Sequence, residues 1–385
     1  MKLTRAAILS ISTLTILMNA AVVPLLSSIS AAFPQADPTL IKMSLSLPAL
    51  FSILFSLLTG LLARFVPKKL LLTGGLLLYS LGGIGGGFTT TIFGFLAMRA
   101  LLGAGSGVIA PLANDFVADF YEGDERPKMI GYTNSTANIT GIFMPLLAAS
   151  LAVINWRYAF GVYALGLLVL ALTWIVIPLK KPIPVSATNK KPLIVLSPAA
   201  LGPALWLFIM VLVFYTIPSN LSVFVKSEGI GSPSTAALVI SISTFASTLL
   251  NLAFAPIYAR LKDWILPFGF FFCALGFLAI TGIASLATLI FGEILLGIAL
   301  GLLFPYFPLK VIENTTPEET TGALAVLSSA FSIGMFLSPI FFFGTSSLLK
   351  ITQIRGEFLV ATVLFSAATL AAVFSLIQKR MRRAI

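Results

Sequence analysis

Apolar residues run along this chain in long unbroken stretches, separated by short clusters of charge, glycine and proline. Reading the runs between those clusters predicts helices near 6–31, 39–63, 70–88, 91–119, 128–152 and 157–178, then near 201–225, 233–259, 264–286, 288–312, 320–347 and 354–378. Most runs reach the roughly 20 apolar residues that a helix needs to cross a bilayer. Strands of a membrane barrel alternate apolar and polar residues, and no such alternation is present. The expected fold is an all-α membrane protein with twelve transmembrane helices.

One polar stretch interrupts the pattern. Leu179 to Pro198 carries KKPIP and NKKP, which cannot continue a buried helix. The expected organisation is a six-helix bundle over 1–178, a cytoplasmic linker over 179–200, and a second six-helix bundle with a basic tail over 201–385. The halves repeat at an offset of 194: Pro24 falls on Pro218, Gly82 on Gly276, Gly103 on Gly297, Gly107 on Gly301, Pro111 on Pro305 and Pro145 on Pro339. Glycine lets helices approach and proline bends them, so shared positions predict shared packing in two pseudo-symmetric bundles of the same orientation.

Composition narrows the chemistry. The chain has 385 residues, 58% hydrophobic and 10% charged, with no histidine and Cys273 as its one cysteine. Ser-His-Asp and Cys-His triads, Cys/His zinc sites and an internal disulfide are therefore excluded. No G-x-x-x-x-G-K-[ST] loop occurs, and the Gly82–Gly87 cluster lies inside a span, where it serves helix packing. The chain reads as no enzyme, with no cofactor and no metal. Of 24 Lys and Arg, 18 fall in segments that are cytoplasmic if both ends are inside. The sequence thus predicts a multi-pass protein of the plasma (inner) membrane with both termini cytoplasmic and the first helix retained. The same distribution accounts for the +11 net charge through loops that meet lipid head groups, without nucleic acid.

Gly60-Leu-Leu-Ala-Arg-Phe-Val-Pro-Lys-Lys69, echoed by Pro256-Ile-Tyr-Ala-Arg-Leu-Lys-Asp263, is similar to the signature loop of the major facilitator superfamily. Arg99-Ala-Leu-Leu-Gly-Ala-Gly-Ser-Gly107 resembles its arginine-plus-glycine motif, and Gly131 through Gly141 to Pro145 the glycine-proline motif of its drug/proton antiporters. The resemblance implies a secondary transporter that works by alternating access. Arg64 stands where the signature loop usually has an acid and Pro67 where it has a glycine, which implies an altered gate. Met144 and Ala148-Ala149 also depart from the antiporter motif.

Charges within spans are costly and normally serve transport. Arg99 and Glu293 sit at equivalent positions, because 99 plus 194 is 293. Glu293 is the expected proton carrier, with Arg99 either biasing its charge state or binding anionic substrate. Both can instead be structural, each hydrogen-bonded within its own half. Asp115 and Asp119 lie four apart on one helix face and are candidate gating partners for Arg64, Lys68 or Lys69. Asn19, Tyr132, Asn134, Asn138 and Asn251 are candidates for the substrate cavity, with interhelical hydrogen bonding as the alternative. Gly103, Gly107, Pro111, Gly141, Pro145, Gly297, Gly301, Pro305 and Pro339 are expected to set packing and kinks. The expected function is proton-coupled export of small, partly apolar molecules by a protein that works as a monomer, energised by a proton gradient. Uptake of an organic anion bound at Arg99 and a non-transporting receptor or scaffold are the alternatives.

Overall fold

The computed structural model describes residues 2–19, 22, 25, 28–29, 32–36, 38–179, 198–231, 233–282 and 285–384. Pro24 and most of the expected linker lie outside the described residues. The helices are α1 (Lys2–Ile16), α2 (Pro38–Leu62), α3 (Lys68–Gly85), α4 (Ile92–Phe120), α5 (Glu125–Ile154), α6 (Leu165–Val176), α7 (Pro198–Phe214) and α8 (Thr216–Ser227). They continue with α9 (Pro233–Leu252), α10 (Phe254–Leu261), α11 (Ile265–Thr281), α12 (Leu286–Glu313), α13 (Pro317–Leu349) and α14 (Ile354–Ala384).

Local chemistry sets the ends. Pro38, Pro198, Pro233 and Pro317 open their helices, where the missing proline N–H has no intrahelical partner to lose. The Thr91 hydroxyl caps α4 by accepting from the Gly94 amide at 3.1 Å. Ten helical stretches among the described residues are long and apolar enough to cross a membrane, and Leu3–Ile16 and Leu238–Leu252 are apolar but shorter. The chain is therefore an all-helical, multi-pass membrane protein. Among the described residues, ten of the twelve expected runs hold full-length spans and the other two hold these shorter helices. The first run gives way after Ile16 to a tight 3-10 turn, Leu17–Asn19, and the eighth breaks between Leu252 and Phe254.

The repeat at 194 is a repeat of contacts. A methyl group added at Gly82 would collide with the backbone of α4 at Leu102, and one at Gly276 with the side chain of Leu296 on α12. Gly103 and Gly107 of α4 press on Pro48 and Ser52 of α2; Gly297 and Gly301 of α12 press on Ser243 and Ser247 of α9. Each pair of glycines meets residues four apart on its neighbour, which is one turn of helix. Dispersion between backbones brought this close replaces the hydrophobic drive that lipid cannot supply between helices.

By contact, the chain divides into two compact units. One comprises Met1–Glu122, Thr136–Leu205 and Lys310–Ile333; the other comprises Gly123–Ser135, Trp206–Leu309 and Gly334–Ile385. Each unit takes in a short piece from the opposite sequence half. The first unit has an aromatic core in which Phe95 and Phe160 meet edge-on at 5.6 Å and Tyr79 and Tyr163 at 5.8 Å. In the second, Phe224 lies 5.1 Å from Phe358 and Phe277 lies 5.6 Å from Phe365.

Candidate functional site

In the first unit, α3 begins directly after Pro67, which places Lys68 against the end of α4. Its Nζ lies 2.9 Å from Asp115 Oδ1 and 2.9 Å from Asp119 Oδ2. Asp115 is fully buried and Asp119 reaches solvent, so one ammonium spans a dry carboxylate and a wet one. The Thr321 hydroxyl of α13 donates to the other Asp115 oxygen. The same stretch of α13 is held on α2, where Ser56 donates to the Ala325 carbonyl at 3.0 Å and Ser329 to the Ile53 carbonyl at 3.4 Å. Gly60 makes that approach possible, because an added Cβ would sit 2.9 Å from the Ala325 Cβ.

Of the expected gating residues, Lys68, Asp115 and Asp119 are thus brought together. Lys69 turns instead to α6, donating to the Trp174 carbonyl at 2.7 Å and lying 4.7 Å from the centre of its ring. Arg64 is half-buried in the turn after α2 and makes no ion pair with either aspartate. Thr321 was missed by sequence reasoning. Its only signal is the polar run Glu318-Glu319-Thr320-Thr321 at the head of an apolar helix.

Arg99 is 1% exposed, inside the first unit. Its Nε donates to the Ser44 carbonyl at 2.8 Å, and its Nη1 to the Met18 carbonyl at 2.9 Å and the Tyr163 hydroxyl at 3.4 Å. Tyr163 donates to the same Met18 carbonyl at 3.1 Å. One guanidinium therefore ties α4 to α2, to the 3-10 turn after α1 and to the aromatic core.

Glu293 belongs to the second unit and is equally buried, at 1%. Ser243 of α9 offers its carboxyl a hydrogen bond, while Oε1 has no partner among the described residues. Eight residues beyond Ser243, Asn251 is 2% exposed, and its Oδ1 also lacks a partner. The matched positions 99 and 293 thus have opposite surroundings: the arginine's donors are engaged and the glutamate is half satisfied.

The remaining candidates scatter. Tyr132, Asn134 and Asn138 are half-buried along α5, and Asn134 donates to the Ile130 carbonyl of its own helix at 2.9 Å. Asn19 ends the turn after α1, and its side chain lies outside what is described. Pro111, Pro145, Pro305 and Pro339 lie inside α4, α5, α12 and α13, and Gly141 meets Ile16 of α1. Glu357, which sequence reasoning passed over, accepts from Asn220 at 2.9 Å and Ser346 at 3.2 Å. A carboxylate inside the last apolar run was the available signal.

The family model of the Major Facilitator Superfamily matches residues 8–231, more than half of the chain. The chain belongs to this superfamily. Its members are transporters, not enzymes, and they bind small-molecule substrates without a cofactor. The chain is 28% identical to an uncharacterized MFS-type transporter, YwfA, of Bacillus subtilis strain 168 over 141 residues, 36% of this chain and 34% of that one. It is 29% identical to the hexuronate transporter of the same strain over 163 residues, 40% and 38% of the two chains. To that strain's bacillibactin exporter it is 36% identical over 104 residues, 25% and 26% of the two chains. These matches span 26% to 38% of the length of these curated relatives. Among solved structures, the human organic anion transporter MFSD10 (TETRAN) aligns with a TM-score of 0.79 at 15% identity, over 96% of this chain and 99% of that one. The proton:xylose symporter XylE, bound to 6-bromo-6-deoxy-D-glucose, aligns with a TM-score of 0.78 at 14% identity, over 95% and 94%. At such identities the likeness shows the fold alone.

Proposed function

We propose that this major facilitator protein is a secondary active transporter working by alternating access, a proton-coupled exporter of small, partly apolar molecules, akin to the drug/proton antiporters that its α5 motif resembles. The observation that carries this reading is Glu293, a buried carboxyl with one neutral hydrogen bond and an oxygen left over. A charge held in such a place costs at least a few kcal/mol, and intramembrane carboxyls that bear it mark ion and proton pathways. A group that gains and loses charge there needs surroundings that change, and alternating access supplies the change.

Arg99 fits a bracing role in this reading. Its donors serve Ser44, Met18 and Tyr163, which makes the organic-anion alternative the weaker one. Lys68, Asp115, Asp119 and Thr321 form the gate. Where the signature loop has Arg64 in place of an acid, Asp115 on α4 supplies the carboxylate that reaches α13. The bias of Lys and Arg puts this gate and both termini on the cytoplasmic side of the inner membrane.

Proteoliposomes carrying a pH gradient and an internal pH dye test the function, with ethidium as the apolar probe and glucuronate as the anionic one. Export of ethidium accompanied by proton movement is expected. Glu293→Gln should lose gradient-driven export while keeping ethidium exchange. Full gradient-driven export by that variant overturns the carrier role, glucuronate uptake alone supports the anion reading, and no flux of either supports a receptor or scaffold.

A further inference from the structure

Serine and threonine hydroxyls inside helices commonly turn back to a carbonyl of their own helix. On α9 two of them do: Thr244 donates to the Ile240 carbonyl at 2.9 Å and Thr248 to the Thr244 carbonyl at 2.8 Å. Ser243 stands beside them, 4% exposed, and its hydroxyl serves the Glu293 carboxyl of α12 instead. Packing fixes the register of that contact. Gly297 lies one turn beyond Glu293 on the same face of α12, and a Cβ there would collide with the Ser243 carbonyl and the Ala246 side chain. Four residues further along each helix, Gly301 presses on Ser247. Neither neighbouring helix brings a carboxylate or a cation, since α9 has no ionisable residue and α11 has Cys273 alone.

The matched site in the first unit is of another kind. Subtracting 194 from 243 gives 49, where α2 has Ala49, and Arg99 is served there by the Ser44 carbonyl. A carbonyl only accepts, which suits a cation of fixed charge. A hydroxyl both donates and accepts, which suits a group that alternates between carboxylate and carboxylic acid. The hydroxyl occurs in the half that has the carboxyl.

We propose that Ser243 is the positioning residue of Glu293, partnering the carboxyl in both of its charge states. The role rests on the proton-carrier reading above and adds to it a partner for each state. Glu293 Oε1 has no partner among the described residues, so the serine bond falls on Oε2. With the carboxylate charged, the Ser243 O–H donates to Oε2. With a proton on Oε2, the acid O–H donates to Ser243 Oγ, and the serine's own proton turns to the Val239 carbonyl one turn back, as those of Thr244 and Thr248 turn to theirs. Ser243 keeps its proton throughout. Only hydrogen bonds are exchanged, and nothing is oxidised or reduced.

Infrared spectroscopy and transport by the full chain, in vesicles of phosphatidylethanolamine and phosphatidylglycerol, test this role. The Glu293 signal is the protonated-carboxyl stretch that Glu293→Gln removes. Ser243→Ala should move that band to higher frequency, because the acid loses its acceptor. The same variant should slow gradient-driven ethidium export about tenfold, equivalent to about 1.4 kcal/mol, because the carboxylate formed in each cycle loses its donor. Ser243→Thr keeps the hydroxyl and should restore both the band and the export. Thr244→Val is the control on the same helix, because that hydroxyl is spent on its own backbone, and it should leave both unchanged. Should Ser243→Thr not fold, the alanine variant and the control decide. An unmoved band or undiminished export in Ser243→Ala overturns the role and leaves the carrier reading standing. If no carboxyl signal depends on Glu293, the carrier reading falls and takes the serine's role with it.

Discussion

Lys68 shows how much one side chain holds in the first unit. Removing it strands Asp115, fully buried, with Thr321 as its remaining donor, and breaking a buried pair from one side costs about 3–5 kcal/mol. Lys68→Ala should therefore lower the melting temperature in detergent, and Lys68→Ala with Asp115→Asn should recover much of the loss. A pair of changes whose effects simply add would show that the two groups do not interact. Asp119 is partly exposed, so Asp119→Asn should cost far less, in the range of a surface ion pair at about 0–1 kcal/mol. The identities of these groups could be read from the sequence, because acids inside an apolar run stand out. Their partners could not. Lys68 was one of three basic candidates, and spacing along the chain says nothing about which of them the fold delivers to α4. Nor did Arg99 announce its acceptors, since they are backbone carbonyls far away in sequence.

At the level of helices, the glycines were the most readable feature. Their offset of 194 gave the internal repeat, and the contacts repeat with it, down to Leu102 and Leu296 facing equivalent glycines. Neighbouring glycines of α3 separate packing from mere presence. Gly74 has open space around it, whereas Gly82 touches the α4 backbone. Gly74→Ala should be neutral or stabilise by up to about 1 kcal/mol through helix propensity. Gly82→Ala should destabilise by about 1–3 kcal/mol, because α3 and α4 must move apart. Thermal unfolding of the two single variants distinguishes them, and equal effects would contradict the close approach. The helix breaks were less readable. Between α10 and α11 the chain turns at Lys262, with φ of 47° on a residue that has a Cβ, and no glycine marked the place. The end of α1 was hidden too, because hydropathy sums over a window and does not register that Ile16 ends the regular turns.

For the whole chain, class and family were legible because lipid permits so few architectures. The division into contact units was not. The head of α13 packs with helices of the first sequence half, and the head of α5 with those of the second. Hydrophobic periodicity reports which face is buried and carries no address for what covers it. The α2–α13 contact has a direct test. Gly60→Ala puts a Cβ 2.9 Å from the Ala325 Cβ, so it should push α13 off α2 and change ethidium flux, whereas Gly74→Ala, with open space around it, should leave flux unchanged. Equal flux in the two variants would remove the contact from the gate.

Positions 99 and 293 descend from one site in a duplicated ancestor if the repeat means what its contacts imply, yet they have parted company. One copy became an anchor whose donors meet the Ser44 and Met18 carbonyls and the Tyr163 phenol, and the other kept an oxygen with no partner among the described residues. Such a division of labour means that exchanging the two residues would not produce a mirror image of the same machine. On the proposed carrier reading, the arginine copy holds its own bundle in shape and the glutamate copy is the one that changes state.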